Sequence, residues 1–205
     1  WEAEAGGSHW SVPPFVYCFD RFIFVNPTGQ FSPLQGAGQL FAYEQAQALQ
    51  SGLEMSFDTH LGKHWQIKSW LDGVFGYNLT DGYPLPFIPP ASGGAEVEFH
   101  LEDAKRWKHP FVRINLRGAA PQYLIARNER QTEGYFLVGA ALGTSFEFSG
   151  MMVDVQAEVQ NLLNQSYMVH MNRYRLLNIP EPGRNLFLTL RIHFGHTFTH
   201  KSTAS

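Results

Sequence analysis

Several features that often define a protein class are scarce in this sequence of 205 residues. Cys18 is its one cysteine, so the chain forms no internal disulfide and its redox compartment stays undetermined. Charged residues make up 16 % of the chain, whereas an average soluble domain carries roughly 25 %. The net charge of −3 provides no electrostatic footprint for nucleic acid, so we expect no nucleic-acid partner.

Long apolar segments and helical periodicity are also missing. The longest apolar stretch runs only from Phe136 to Gly143, whereas a membrane-spanning helix needs about 20 apolar residues. Transmembrane helices are therefore excluded, but transmembrane strands are not, because their apolar residues alternate with polar ones. No hydrolase elbow, phosphate-binding loop or zinc-protease motif occurs, and we predict no catalytic residue and no metal site.

The sequence is instead rich in period-two alternation, which is typical of half-buried strands. Val153, Val155 and Val159 share one face of their segment, and Asp154 and Glu158 share the other. We predict eight strands, at about 15–26, 40–61, 64–80, 91–102, 108–125, 134–148, 150–163 and 184–194. These strands suit either an antiparallel sheet with one solvated face or a barrel that is apolar outside and polar inside.

The predicted connections alternate in length. Short turns fall at 62–63, 103–107 and 149–150, and long loops fall at 27–39, 81–90, 126–133 and 164–183. Bacterial outer-membrane barrels have short periplasmic turns and longer extracellular loops, so the alternation favours a barrel over a soluble β-sandwich. Charged residues crowd one face of the strands, which favours a barrel wider than eight strands can close.

The strands define a single domain at residues 15–194, followed by a polar tail at 195–205. The chain begins at Trp1 and lacks both the basic and the apolar regions of a signal peptide. Either a signal peptide has been removed or the chain is a piece of a longer one, and we interpret residues 1–14 as the N-terminal segment of a longer chain.

Motifs near the C-terminus resemble the end of TonB-dependent outer-membrane receptors. A run from Asn161 to Tyr167 precedes a loop, and Pro182 to Arg184 opens the last alternating strand. The signature residues are Asn161, Leu163, Asn164, Tyr167, Pro182, Gly183, Arg184 and Phe194. Three further stretches, 19–29, 85–90 and 126–135, resemble the same family in the same order.

The resemblance implies an all-β fold and a location in the outer membrane of a Gram-negative bacterium. This chain would be an antiparallel transmembrane β-barrel segment of about eight strands within a plugged barrel of about 22 strands. Its partners would be membrane lipid, the remaining barrel strands and the plug domain. TonB would act on the whole protein, but not through these residues.

The implied function is that of a receptor and transporter that takes up a scarce nutrient. The cargo would be an iron–siderophore complex, haem, cobalamin or another metal complex. No resident cofactor is implied, because any metal complex would be transported cargo.

Four residues of the last long loop are predicted to bind substrate: His170, Arg173, Tyr174 and Arg175. By resemblance, this loop contacts substrate in the family. Cationic side chains there could bind an anionic siderophore, haem carboxylates or a metal chelate. The alternative is that Arg173 and Arg184 only hold the loop in place through hydrogen bonds.

Two other functions also fit the sequence. A receptor-derived barrel could act as a scaffold in an outer-membrane complex without transport. A small outer-membrane barrel enzyme would need a catalytic set, for which only His170 with Asp81 or Glu133 is available.

Overall fold

The computed structural model describes residues 1–33, 38–148 and 151–193. The strands in these ranges are β1 (Glu2–Ala5), β2 (Ser8–Ser11), β3 (Pro14–Phe31), β4 (Gln39–Leu61), β5 (Trp65–Asn78), β6 (Tyr83–Pro84), β7 (Ser92–His100), β8 (Lys108–Ala119), β9 (Tyr135–Phe148), β10 (Met151–Gln160) and β11 (Asn185–His193). A short 3₁₀ helix spans Arg173–Leu177. Phe194 and the predicted tail at 195–205 lie outside the described residues.

All of these strands belong to one antiparallel sheet. Its order is β1-β2-β4-β5-β7-β8-β9-β10-β11, and β3 also pairs with β4 while β6 pairs with β5. The prediction of an all-β antiparallel fold is therefore confirmed. The eight predicted strands correspond to β3, β4, β5 and β7 to β11, whereas β1, β2 and β6 are additional to the prediction.

The additional strands β1 and β2 form a hairpin whose turn is Gly6-Gly7, with φ values of 58° and 82°. Positive φ at both central residues is the requirement of a tight hairpin turn, which glycine meets without strain. Strands β2 and β3 both pair with β4 in one continuous register, because Ser11 pairs with Ser56 and Pro14 with Leu53. The ladder is interrupted at Val12 and Pro13, where proline lacks the N–H that a ladder needs.

The longest connections in the structure lie at one end of the sheet, but the strict alternation of short and long is not retained, because 32–38 and 101–107 have the same length. Residues 62–64 and 101–107 connect strands at one end of the sheet, where β9 and β10 pair at Phe148 and Met151; we call this the turn end. Residues 79–91, 120–134 and 161–184 connect strands at the opposite end, where β3 and β4 pair at Phe31 and Gln39; we call this the loop end. The first loop is shorter than predicted, because β3 extends to Phe31.

The two faces of the sheet differ in polarity along continuous cross-strand rows. One row of paired residues is Ile67, Val97, Ile114, Ala140, Val159 and Leu186. The adjacent row on the opposite face is Gln66, Glu98, Arg113, Ala141, Glu158 and Phe187. We call these the apolar face and the polar face.

The apolar face is not a buried core. Leu142, Leu188 and Leu190 are 60 %, 78 % and 61 % exposed. A β-sandwich would cover this face with a second sheet, but every strand in the described ranges belongs to the same sheet. The described strands therefore do not form the β-sandwich of the alternative. Within the same ranges, no helix is long and apolar enough to cross a membrane.

The sheet does not close on itself. Of the described strands, only β10 pairs with β11, and all nine residues of β11 are exposed. An exposed edge of this kind presents unpaired backbone groups to a further strand. The open sheet agrees with the prediction of a segment that belongs to a wider barrel.

Loop 79–91 folds back onto the polar face, where a glycine makes room for it. A Cβ placed on Gly76 would lie 2.5 Å from Ile88 Cδ1 and 3.2 Å from Leu85 Cδ1, and Leu85 is 1 % exposed. On the same strand, a Cβ on Gly73 would meet only Ala91 Cβ, at 3.7 Å. Gly76 therefore defines where the loop packs.

We expect Gly76→Val to destabilise the docked loop by about 1–3 kcal/mol, because the added side chain overpacks the contact with Ile88 and Leu85. Gly73→Val is the matched control, since its Cβ has ordinary contact distances. The free energy of unfolding of the full-length protein measures both. Equal effects of the two substitutions would contradict this account of the packing.

Candidate functional site

The long loops converge at the loop end of the sheet. Asn128 Nδ2 donates a hydrogen bond to the Pro27 carbonyl at 3.1 Å, which connects loop 120–134 to the end of β3. Gln122 Nε2 donates to the Ile88 carbonyl at 2.7 Å, which connects it to loop 79–91. These contacts bring together residues that are distant in the sequence, so the site is built by the topology of the sheet.

Glu129 lies at the centre of this loop cluster, with a side chain that is 2 % exposed. Its Oε1 accepts hydrogen bonds from Arg175 NH2 at 3.2 Å and from the Phe87 N–H at 3.1 Å, and lies 3.0 Å from His170 Nε2. Its Oε2 accepts from the Ala126 N–H at 3.1 Å. One carboxylate therefore connects loops 79–91, 120–134 and 161–184.

The partners of Glu129 are buried and have further hydrogen bonds of their own. The side chains of His170 and Arg175 are 1 % and 4 % exposed. His170 Nδ1 lies 2.9 Å from Thr132 Oγ1, and Arg175 NH1 donates to the Arg130 carbonyl at 2.6 Å. We call Glu129, His170 and Arg175 the buried triad. Buried charges are tolerated when they are paired and hydrogen-bonded in this way.

The surroundings of the triad lower the pKa values of both Glu129 and Arg175. Burial raises the pKa of Glu129, but hydrogen bonds from His170 and from the N–H groups of Ala126 and Phe87 outweigh it, so the pKa lies below its usual value. Burial lowers the pKa of Arg175, and the nearby charge of Glu129 opposes that shift. The arrangement favours an ionised Glu129.

The structure separates the four predicted substrate-binding residues into two groups. His170 and Arg175 direct their polar atoms to Glu129, Thr132 and the Arg130 carbonyl. Arg173 and Tyr174 are exposed, and no hydrogen bond or ion pair of the Arg173 side chain occurs within the described residues. The prediction that these four residues bind substrate is not tested by this arrangement. Only the second group has side chains accessible to a ligand.

Two residues of this cluster, Glu129 and Thr132, were not predicted as site residues. Glu129 belongs to the stretch 126–135 whose sequence resembles the receptor family, which is the one signal that pointed to it. Its hydrogen bond to His170 spans 41 positions, so no local pattern indicates the pairing.

The signature residues close the base of loop 161–184. Asn161 has a φ of 50° and exchanges two hydrogen bonds of 2.8 Å with the backbone of Gln165. Asn164 Oδ1 accepts from the Arg184 N–H at 2.9 Å, and Arg184 Nε donates to the Leu162 carbonyl at 2.9 Å. Asparagine is one of the few non-glycine residues that tolerates positive φ. Arg184 thus holds the base of the loop in place, whereas the alternative expected this of both Arg184 and Arg173, and no such contact of the Arg173 side chain occurs within the described residues.

The aromatic and terminal signature residues have different surroundings. The Tyr167 ring lies 4.6 Å from the Tyr135 ring, which joins the loop to the start of β9. A Cβ on Gly183 would lie 2.6 Å from Asn164 Oδ1, so glycine permits the close approach of Asn164. Leu163 is 67 % exposed and Pro182 is exposed.

A hydrolase-like arrangement is present but inaccessible. Thr132, His170 and Glu129 lie in the order of a nucleophile, a base and an acid. Thr132 is 9 % exposed and His170 2 %, so the hydroxyl does not face a substrate. Neither expected acid contacts His170: Asp81 accepts from Asn78 at 2.8 Å, and Glu133 accepts from Tyr123 at 3.4 Å.

The polar face carries a separate ionic cluster in mid-sheet. Arg113 lies 2.5 Å from Glu98 and 3.4 Å from Glu96, and His100 lies 3.0 Å from Glu98. These carboxylates are paired with cations and do not form an acid–base pair of carboxyl groups. In the part of the chain that the structure describes, no group of three or more His, Cys, Asp or Glu residues could hold a metal ion.

Comparison with known proteins assigns the fold to a family. A family model described as "TonB dependent receptor-like, beta-barrel" matches residues 7–162. The match covers well over half of the chain, and the chain belongs to this family of TonB-dependent receptor barrels. A search of curated proteins finds no match.

Solved structures of the same architecture are similar to this chain. The copper transporter OprC superimposes with a TM-score of 0.76 at 20 % identity, over 92 % of this chain and 29 % of OprC. BauA, the ferric preacinetobactin receptor from Acinetobacter baumannii, gives a TM-score of 0.68 at 16 % identity, over 92 % of this chain and 28 % of BauA. The chain thus spans less than a third of the length of either neighbour, and at these identities the likeness concerns the fold.

We expect Glu129→Gln to weaken loop docking by about 3–5 kcal/mol, because it leaves the buried Arg175 without a counter-charge. Glu133→Gln is the matched control, since this exposed carboxylate accepts only one long hydrogen bond, at 3.4 Å. Limited proteolysis of loops 120–134 and 161–184 in the full-length protein measures the effect. Equal cleavage rates in both variants would contradict the role of Glu129.

The lowered pKa of Glu129 also predicts a pH dependence. A carboxyl group with a lowered folded pKa contributes its full stability above the unfolded value, and loses it as the pH falls through the folded pKa. The stability difference between the native protein and Glu129→Gln should therefore be constant near neutral pH and shrink below about pH 4.5. Thermal unfolding at a series of pH values measures it, and a difference that grows on acidification would contradict the prediction.

Proposed function

We propose that this chain forms part of the barrel wall and of the ligand-binding loops of an outer-membrane receptor that imports a scarce nutrient. The observation that carries the proposal is a single antiparallel sheet with one exposed apolar face and one ionic face, within a family of TonB-dependent receptor barrels. An apolar outer band and a polar interior are what a barrel wall in a membrane requires.

The proposed partners complete the barrel. Membrane lipid covers the apolar face, and further strands pair with the free edges of β3 and β11. A plug domain fills the interior, against the ionic cluster of Arg113, Glu96 and Glu98. TonB supplies energy to the whole receptor through residues outside this chain.

The proposed cargo is a metal ion or metal complex, with ferric siderophores as one candidate class and haem and cobalamin as others. Support comes from the two structural neighbours, since one is described as a copper transporter and the other as a ferric preacinetobactin receptor. No metal is resident in the proposed barrel, because it would be carried as substrate.

Uptake by intact cells tests the proposal. Cells that express the full-length receptor should accumulate radiolabelled iron or copper complexes faster than cells that lack it, and deletion of TonB should abolish the difference. Binding at the cell surface without TonB-dependent uptake would overturn transport and favour a scaffold role.

The orientation of the wall gives a second test. Leu190→Arg places a charge on the apolar face and should destabilise the receptor in lipid vesicles by up to about 2–4 kcal/mol. Thr189→Arg is the matched control, because the neighbouring side chain lies on the polar face. The free energy of unfolding in vesicles measures both variants. A larger cost for Thr189→Arg would reverse the proposed orientation.

A further inference from the structure

His170 joins loop 161–184 to two side chains of loop 120–134, and both of its ring nitrogens take part. The side chain is 1 % exposed. Its Nε2 lies 3.0 Å from Glu129 Oε1, and its Nδ1 lies 2.9 Å from Thr132 Oγ1. Each ring nitrogen of a histidine can donate or accept a hydrogen bond, depending on where the ring protons lie. The partners therefore determine which protonation state fits this contact.

The hydrogen-bond partners fit a neutral ring. An ionised Glu129 can only accept, so Nε2 is the nitrogen that donates. Among the described residues, Thr132 Oγ1 has His170 Nδ1 as its one hydrogen-bond partner. When Nδ1 carries no proton, the buried hydroxyl donates to it and every polar group of the contact is satisfied. When Nδ1 carries a proton, the hydroxyl must accept, and its own hydrogen has no acceptor in the described part of the chain, which is costly in a buried site.

The charges around the ring also favour its neutral form. Arg175 NH2 donates to the same Glu129 oxygen at 3.2 Å, so the negative charge of the buried triad is already balanced. Arg130, which donates to the Leu176 carbonyl at 3.4 Å, is a second cation close to Arg175. A proton on His170 would place a further positive charge beside these guanidinium groups. A buried charge without a counter-charge of its own is costly.

The other charged groups of the three loops do not provide that counter-charge. Besides the triad and Arg130, these groups are Asp81, Arg127, Glu133, Arg173, Glu181 and Arg184. Within the described residues, none of them forms a hydrogen bond or an ion pair with His170. From the β3–β4 hairpin, Tyr43 faces the same side of the loop as His170, and a tyrosine is ordinarily neutral below about pH 10.

We propose that His170 is neutral while the loops are docked, and that its protonation weakens the attachment of loop 161–184 to loop 120–134. In the open loops the ring is solvated and takes up a proton as the pH falls below about 6.5, the ordinary range of histidine. Opening is then coupled to the binding of one proton, so acid favours the open loops. This inference goes beyond the proposed function, because it does not depend on the cargo.

Limited proteolysis of loop 161–184 in the full-length receptor tests the inference, at about pH 7.5 and about pH 5. Each cleavage rate is divided by the rate on an unfolded substrate at the same pH, which removes the pH dependence of the protease. The corrected rate follows the population of open loops when closing is faster than cleavage. Coupling to one proton should raise this rate up to about 30-fold between the two pH values in the native receptor.

His170→Gln separates protonation from docking. A glutamine amide can donate to Glu129 and accept from Thr132 as the neutral ring does, but it takes up no proton. This variant should therefore show no acid-dependent rise in cleavage. His9→Gln is the matched control, because it removes an exposed histidine from β2, which pairs with the turn-end part of β4. This control should keep the full rise.

The results either support or overturn the inference. A rise of equal size in His170→Gln, or no rise in the native receptor, overturns it. If His170→Gln opens the loops already at neutral pH, ¹⁵N NMR spectroscopy of the native receptor decides, since the ring signals that are missing from the variant belong to His170. One protonated ring nitrogen at neutral pH supports the inference, and two overturn it. TonB-dependent uptake at neutral pH tests the proposed function separately from all of these results.

Discussion

Uniform register in one antiparallel ladder is the constraint on which the rest of this structure depends. Side chains alternate with a period of two, so a slip of one residue would exchange the apolar and polar faces of a whole strand. The irregularities in pairing occur in β3, between Phe19 and Phe22 and between Pro27 and Phe31, and at the turn end of β8. From β5 to β11 the pairing otherwise runs without a shift, so both faces keep their character across the wall.

The same ladder determines where the chemistry lies. The longest connections between the antiparallel strands lie at one end of the sheet. There the Glu129 carboxylate accepts hydrogen bonds from donors in three of these loops. The cost of burying Glu129 and Arg175 is offset because each is paired and hydrogen-bonded. The loop end is therefore a hydrogen-bonded assembly of three loops, in which Arg175 and His170 make the structural contacts and Arg173 remains exposed.

Local patterns in the sequence predict most of the wall. Alternation identified β10 and β11 and the polarity of their faces, since a strand's faces depend only on its own residues. The β1–β2 hairpin was missed because its strands, Glu2–Ala5 and Ser8–Ser11, are short and carry no clear alternation. The end of β3 was misplaced because Pro27 and Gly29 indicate a turn, although both lie within the strand. The burial of His170 and Arg175 depends on Glu129, some 41 and 46 positions away, and period-two analysis cannot detect such pairings.

The attachment of three loops to Glu129 has a consequence for motion. One carboxylate hydrogen-bonds to groups from all three loops. If one loop moved away alone, a buried charged group or a backbone N–H would therefore lose its hydrogen-bond partner. Displacement of these three loops is therefore collective. Because Asn128 of loop 120–134 also hydrogen-bonds to the Pro27 carbonyl of β3, the end of the β3–β4 hairpin is coupled to the same assembly.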